Sequence, residues 1–124
     1  AKSDEYADEI AEKFGIKHLY ARHPQSLSEG QKRRVSIAAV VATDPEVLIL
    51  DEPTVGQDYK GLCEMVEVLN KLHEEAHNTM ITVTHDKRCA AALCDKSVWI
   101  KNGKTYKTGG KELVDEFFIQ IGVN

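Results

Sequence analysis

Two adjacent carboxylates stand directly after a short apolar run. Asp51 and Glu52 follow the apolar residues 47–50 and precede Pro53. Such a run predicts a strand of a parallel sheet that is covered on both faces, and ligands bind at the carboxyl ends of such strands. Because side chains alternate along a strand, the two acids have different tasks: one can hold Mg²⁺, and the other can orient or deprotonate an attacking water. The alternative is a strand end with two solvated acids before a proline turn.

A second apolar run also ends in a polar tip. Residues 80–84 predict another buried strand, and His85 follows it. A single histidine is more often a surface or capping residue than a catalytic one. Two strands of this kind would lie side by side in one sheet, however, which makes a shared site at their ends more credible.

A third group of residues stands at the start of a predicted helix. Ser28 is a good N-cap, and Gln31 follows three residues later, so the pair predicts a capping box. The functional alternative uses the same physics, because the free N–H groups of a helix N-terminus attract phosphate. Gly30 would let a ligand approach the backbone closely.

The hydrophobic periodicity predicts the elements that position these residues. A second helix begins after Ser28 and ends before Pro45, and Asn102 and Gly103 predict a two-residue hairpin turn. The other predicted elements are helices over residues 4–14, 60–75, 87–93 and 111–118, and strands over 47–50, 80–84, 97–100 and 104–107. Strands that alternate with helices indicate an α/β fold with a partly parallel sheet.

Composition narrows the possible classes of protein. The 124 residues carry a net charge of -4, which argues against a broadly basic nucleic-acid-binding face. No apolar run exceeds six residues, far short of a membrane-spanning helix. The spacing of Cys63, Cys89 and Cys94 fits neither a zinc site nor a redox pair, so we expect reduced thiols.

Four motifs, in order, resemble those of ATP-binding-cassette (ABC) ATPases. Residues 27–31 (LSEGQ) resemble the signature motif, and residues 47–54 (VLILDEPT) resemble the Walker B strand with its adjacent catalytic glutamate. Residues 55–58 (VGQD) look like the D-loop, and residues 84–86 (THD) look like the loop of the switch histidine. Their order and spacing both agree with the family.

The resemblance implies roles for residues on two strands. Asp51 would support Mg²⁺, and Glu52 would be the general base for the attack of water on the γ-phosphate of ATP. His85 would contact the γ-phosphate and sense its presence. Positioning and charge stabilisation dominate phosphoryl transfer of this kind.

The resemblance also implies partners. In the family, two ATP molecules lie between two head-to-tail domains, so Ser28, Gly30 and Gln31 would close over an ATP held by a second ATP-binding domain. Asp58 would contribute across the same interface. The assembly would include transmembrane transporter subunits and lie at the cytoplasmic, inner face of the cell membrane, with no nucleic acid. Residues 23–38 look most similar to the cobalt and energy-coupling-factor importers.

Three positions depart from the usual family pattern. Glu29 replaces a small residue, and Gln57 and Tyr59 replace a commoner leucine and proline. The basic run at residues 32–34 is interpreted as a solvated helix face rather than a nucleic-acid patch.

The Walker A pattern GxxxxGK(S/T), which cradles phosphate, does not occur in this sequence. Gly103, Lys104 and Thr105 match its last three residues, but Val98 stands where the first glycine belongs, and the tripeptide is predicted to form a hairpin turn. The resemblance therefore implies the C-terminal part of an ABC domain: an incomplete P-loop NTPase core of parallel strands flanked by helices, plus part of the helical subdomain. Residues 1–46 would belong to that subdomain and residues 47–124 to the core. Alone, such a chain is predicted to be inactive, and either to self-associate through an unpaired strand edge or to be only partly folded.

Two other functions fit the same motifs. One is a part of a soluble, non-transport ABC ATPase of DNA repair or translation, although such proteins usually carry coiled coils or long insertions, and no heptads or basic tail occur here. The other is a non-catalytic module that pairs with a complete ATPase.

Overall fold

The computed structural model describes residues 3–122, which form an α/β fold of helices and short strands. The elements are α1 (Asp4–Lys13), α2 (Glu29–Val41), β1 (Val47–Asp51), α3 (Tyr59–Ala76), β2 (Thr79–Val83), α4 (Lys87–Leu93), β3 (Ser97–Lys101), β4 (Lys104–Gly109) and α5 (Lys111–Gln120). Two short 3-10 turns, Lys17–Leu19 and Pro24–Ser26, lie between α1 and α2. The predicted fold class and each predicted helix and strand are confirmed, with bounds that differ by a few residues.

The chain divides into two compact units between Val83 and Thr84. The predicted division of the domain at residue 46 rests on the family resemblance and stays a prediction. In residues 3–122, no helix is both long and apolar enough to cross a bilayer.

The first unit is built around the parallel pair of β1 and β2. Their register runs from Val47 opposite Thr79 to Asp51 opposite Val83. The helical periodicity predicted over residues 60–75 is confirmed, because the apolar side chains of α3 form one buried stripe: Leu62, Met65, Val66, Leu69 and Leu72. The core side chains of this unit include Ile10, Phe14, Ile37, Val41, Leu48, Leu50, Leu62, Met65, Leu69 and Leu72.

Only one face of this sheet is covered. Leu48 and Leu50 are each 4% exposed, whereas Val47 and Ile49 are 52% and 67% exposed. On β2, Ile81 is 49% exposed. The prediction that both strands are buried on both faces is therefore wrong for this chain. Side chains alternate along a strand, and no element of the first unit within residues 3–83 covers the second face.

This apolar face supports the prediction that the chain self-associates. Replacing Ile49 with lysine is expected to lower the weight-average mass in sedimentation at a fixed protein concentration, because a charge on the face opposes its burial against another chain. Ile119→Lys is the matched control, since Ile119 on α5 is also 67% exposed. A wild-type chain that sediments as a monodisperse monomer would show that the face does not drive association.

The second unit is a hairpin with helices packed beside it. Asn102 and Gly103 have φ values of 51° and 74°, as a two-residue turn with two left-handed residues requires. The turn connects β3 and β4, which pair antiparallel, so the tripeptide that begins at Gly103 is part of a hairpin and the rejection of a phosphate loop there is confirmed. Trp99 packs edge-on against Tyr106 and Phe117, with ring centroids 4.9 Å and 5.1 Å apart.

The cysteines are free thiols, as predicted. Cys89 is fully buried in α4, and Cys63 is exposed on α3. Partial burial raises the pKa of the Cys94 thiol, which keeps it protonated near neutral pH.

Candidate functional site

The first turn of α2 is closed by the predicted capping box. The Gln31 backbone N–H donates to Ser28 Oγ at 3.1 Å, and the Ser28 N–H donates to Gln31 Oε1 at 2.9 Å. Ser28 is exposed, and its hydroxyl can still donate its own hydrogen while it accepts this bond. The first N–H groups of a helix have no intrahelical acceptors. The turn therefore combines a rigid cap with donors that suit an anion.

Gly30 packs closely against the backbone of Gly56. A Cβ atom on Gly30 would lie 2.7 Å from the carbonyl oxygen of Gly56, and Gly56 itself has a φ of 81°. The close approach predicted for a ligand at Gly30 is thus made by the loop at residues 55–58. Its part in binding ATP stays a prediction.

Replacing Gly30 with alanine is expected to lower the free energy of unfolding by about 1–3 kcal/mol, the usual cost of overpacking. The added methyl group meets backbone, which cannot rotate away. Urea denaturation followed by far-UV circular dichroism measures the change. Glu29→Ala, in the same turn but exposed, is the control and is expected to shift the midpoint little. Equal midpoints for the two variants would show that the contact is not tight in solution.

Gln57 links this loop to α2 by two hydrogen bonds. Its Nε2 donates to the carbonyl oxygen of Gly30 at 2.9 Å, and its Oε1 accepts from Nε of Arg34 at 3.0 Å. Both bonds are partly buried. The first turn of α2, which carries the residues predicted as a signature motif and is here termed the signature turn, is consequently linked to the loop at residues 55–58. The link is made by Gln57, which departs from the pattern of the family that the sequence resembles.

Arg34 connects α2 to two further elements. Its guanidinium donates to the carbonyl oxygens of Phe14 and Gly61, both at 3.3 Å, and pairs with the Glu64 carboxylate at 3.2 Å. Only 17% of its side chain is exposed. The interpretation of residues 32–34 as a solvated face is therefore wrong for Arg34. A guanidinium presents five donors in a fixed fork, so it can serve several carbonyls at once.

The carboxyl end of β1 is attached to its neighbours by backbone groups. The Glu52 N–H donates to the Val83 carbonyl at 2.8 Å, which extends the pairing with β2 by one residue. Arg33 of α2 donates to the Asp51 carbonyl at 3.3 Å. Glu52 has a φ of 50°, a left-handed conformation that costs a non-glycine residue roughly 1–3 kcal/mol. Strain of this kind is concentrated at functional sites, which favours a role for Glu52.

Asp51 is exposed and Glu52 is half-buried at this strand end. Within residues 3–122, no cluster of three or more His, Cys, Asp or Glu side chains could hold a metal alone. Mg²⁺ bound to a nucleotide usually takes one or two carboxylates together with phosphate oxygens and waters. One exposed carboxylate at a strand end fits such a site, and Asp51 meets this requirement.

Asp58 caps α3 in this structure. Its Oδ1 accepts the Gly61 N–H at 2.7 Å. The cap explains why an acid ends the loop at residues 55–58. The side chain is also exposed, so a contact with a second domain stays a prediction.

His85 lies in the second unit, two residues after the end of β2, and its side chain is exposed. The next residue, Asp86, caps α4 by accepting the N–H groups of Arg88 at 2.8 Å and Cys89 at 3.3 Å. Partial burial opposes ionisation of Asp86, but these bonds and the Arg88 side chain outweigh it and lower its pKa. Together with the bond from the Asp86 N–H to Thr84 Oγ1, the cap fixes the backbone on both sides of His85.

The first unit thus brings together the predicted residues of the signature turn, of residues 55–58 and of the β1 end. Arg33, Arg34 and Gln57 form the links between these segments and were not predicted as functional residues. The sequence gives only two indications of these residues. Two arginines stand close to the predicted signature motif, and a glutamine stands at residue 57, where leucine is commoner.

Comparison with known proteins finds relatives that are named as ATP-binding proteins of transporters. A family model described as "ABC transporter" matches residues 2–55. The putative ABC transporter ATP-binding protein MK0182 of Methanopyrus kandleri is 47% identical over 87% of this chain and 40% of its own length. The energy-coupling factor transporter ATP-binding protein EcfA2 of Enterococcus faecalis is 42% identical over 90% of this chain and 40% of its own. The chain thus spans about 40% of the length of these curated relatives.

Solved structures agree with these relatives. The dimeric ABC transporter cassette MJ0796 has a TM-score of 0.78 at 31% identity, over 90% of this chain and 50% of its own, and was also solved in a post-hydrolysis state with ADP and Pi. The cbiO1 structure from Clostridium perfringens, part of the ABC transporter complex cbiONQ, has a TM-score of 0.76 at 35% identity, over 95% of this chain and 48% of its own. Over most of its length, the chain is thus similar to part of the ATP-binding domains of ABC transporters.

Proposed function

We propose that this chain is part of the ATP-binding and ATP-hydrolysing subunit of an ABC transporter of the energy-coupling-factor kind. The observation that carries the proposal is the arrangement of the first unit. Arg33 and Gln57 link the signature turn to the carboxyl end of β1 and to the loop at residues 55–58, respectively. The names of the relatives supply the transport context.

Glu52 and His85 carry the chemistry at the chain's own strand ends. The Glu52 carboxylate orients the attacking water and accepts its proton as the water oxygen bonds to the γ-phosphorus. The bond from that phosphorus to the β-phosphate oxygen breaks, and ADP and inorganic phosphate leave. His85 donates a hydrogen bond to a γ-phosphate oxygen and so distinguishes ATP from ADP. The Asp51 carboxylate would hold Mg²⁺, which would supply positive charge to neutralise the phosphates.

The signature turn acts on an ATP held by another domain. The Ser28 hydroxyl donates to a phosphate oxygen, and the N–H groups of the first turn, including that of Gly30, present the positive end of α2 to it. Gln31 holds the turn closed through its bond with Ser28. Asp58 contributes at the same interface. The second ATP-binding domain and the transmembrane subunits place the assembly on the inner face of the membrane.

The proposal is tested with a chimera in which this chain replaces the matched segment of the Enterococcus faecalis relative. The remainder of the relative would supply the phosphate loop that the family resemblance implies, since the Walker A pattern does not occur in the 124-residue sequence. We expect the chimera to hydrolyse ATP and the isolated chain to show no turnover. Hydrolysis by the isolated chain that Glu52→Gln abolishes would contradict the proposed division of the site. A folded chimera that binds but does not hydrolyse ATP would contradict the catalytic role of this chain.

A further inference from the structure

We propose that Gln57 is a positioning residue that sets the signature turn for the ATP of the facing domain. This inference rests on the proposed function and adds to it a residue on which the trans contact depends. Gln57 is not placed at the ATP itself. It acts through Gly30, whose carbonyl accepts the hydrogen bond from its Nε2.

The orientation of the Gln57 amide is determined by Arg34. A guanidinium can only donate hydrogen bonds, so the amide oxygen must face Arg34 and the NH₂ group must face Gly30. The distances of 3.0 Å to Arg34 Nε and 2.9 Å to the Gly30 carbonyl fit this single arrangement. The amide therefore has one defined donor and one defined acceptor direction.

Gly61 packs against another side of the Gln57 side-chain amide. A Cβ atom on Gly61 would lie 2.8 Å from Gln57 Oε1 and 3.0 Å from Arg34 Nη2. The Gln57 side chain consequently has little freedom to leave this position. Arg34 in turn donates hydrogen bonds to the carbonyls of Phe14, directly after α1, and of Gly61 in α3. Through Arg34 and Gln57, these hydrogen bonds connect both helices to the signature turn.

Two substitutions of Gln57 distinguish the effects of its two hydrogen bonds. Gln57→Leu, which places the commoner family residue here, removes both bonds. Gln57→Glu keeps the oxygen that accepts from Arg34 but replaces the NH₂ donor with an acceptor facing the Gly30 carbonyl. If Gln57 served only to anchor Arg34, the glutamate variant would behave like the wild type. If it positions the turn, both variants are defective.

The first test measures amide hydrogen exchange in the full 124-residue chain without nucleotide. The Gln31 and Lys32 amides are bonded to Ser28 at 3.1 Å and 2.9 Å and report on the closure of the turn. We expect exchange of both amides to be roughly 3- to 10-fold faster in Gln57→Glu and Gln57→Leu, the usual effect of one lost hydrogen bond. Gln120→Glu, exposed on α5, is the charge control and is expected to change neither amide. Unchanged exchange in Gln57→Glu overturns the inference.

The second test measures ATP turnover in trans. The full chain is added to a complete ATP-binding domain of the family whose own signature serine has been replaced by alanine, here termed the acceptor domain. Turnover by the mixture then depends on the signature turn of this chain. We expect both Gln57 variants to raise the KM for ATP roughly 3- to 10-fold with kcat nearly unchanged, as loss of a binding contact does. A purely structural defect would instead lower the amount of active complex and leave KM unchanged.

The outcomes distinguish the inference from the proposed function. If the wild-type chain restores turnover and the Gln57→Glu variant has the wild-type KM, Gln57 is not a positioning residue and the proposed function stands. If the wild-type chain restores no turnover, the proposed function fails and the inference fails with it. Restored turnover together with a raised KM for both variants supports both.

Discussion

Replacing Glu52 with glutamine in the chimera is expected to lower kcat for ATP hydrolysis by roughly 100- to 10,000-fold, the contribution of a general base. The substitution keeps the size of the side chain and leaves the backbone N–H of this residue bonded to the Val83 carbonyl. The affinity for ATP, measured by isothermal titration, is therefore expected to remain within a few-fold. The substitution is thus expected to slow the chemical step of ATP hydrolysis and not to weaken the binding of ATP.

The control for this prediction is Glu46→Gln. Glu46 precedes β1 at the opposite end of the strand and is exposed. Its replacement removes one charge from the same strand without touching the strand end after Asp51. A Glu52→Gln chimera that retains most of its turnover would contradict the assignment of the general base. A parallel loss of ATP affinity would indicate misfolding rather than lost catalysis.

Replacing Arg34 with methionine is expected to lower the free energy of unfolding of the isolated chain by about 2–4 kcal/mol. The net contribution of an intramolecular hydrogen bond is about 0.5–1.5 kcal/mol, and three such bonds are lost. The ion pair with Glu64 is half-exposed and contributes little. The carbonyls of Phe14 and Gly61 and the amide of Gln57 each lose a donor. Methionine fills most of the space, so the loss comes from these bonds rather than from a cavity.

Two further variants sharpen this prediction. Arg34→Lys keeps the charge but lacks the planar fork, so it is expected to recover less than half of the lost stability. Lys32→Met, two residues away with a 45% exposed side chain, is the control and is expected to change stability little. Urea midpoints for Arg34→Met and Lys32→Met that coincide would show that the Arg34 contacts carry no net stability.

The elements that the sequence predicts best are those with a local cause. The apolar stripe of α3 has the helical period, and its members are buried as expected. The Asn102 and Gly103 turn has the two residues that tolerate positive φ, and it forms the predicted hairpin. The capping box of α2 depends on two residues that are three apart in sequence, so it is equally predictable.

Features with a non-local cause could not be predicted. Whether Arg34 is solvated depends on carbonyls of Phe14 and Gly61, which are 20 and 27 residues away in sequence. The steric demand on Gly30 comes from the Gly56 backbone, which only the folded chain brings near. The strands were predicted as buried from composition alone, yet burial of their second face depends on what lies over it, which a strand's own residues cannot specify.

The candidate site shows the same division. Asp51, Glu52 and His85 were recognised because each follows an apolar run at a strand end, where a sheet presents its ligands. Gln57 has no such pattern, and its importance follows only from its bonds to Gly30 and Arg34.

The proposed function requires that the signature turn of this chain acts on ATP held by another domain. ATP turnover by the acceptor domain, measured as this chain is added, tests it most directly when wild type is compared with Ser28→Asp. Aspartate caps a helix as well as serine does, so the fold of the turn is kept, but its charge repels phosphate. We predict that the wild-type chain restores saturable turnover and that Ser28→Asp restores at least tenfold less, roughly the effect of one unfavourable charge. No restoration by the wild type, or equal restoration by both chains, would contradict the account.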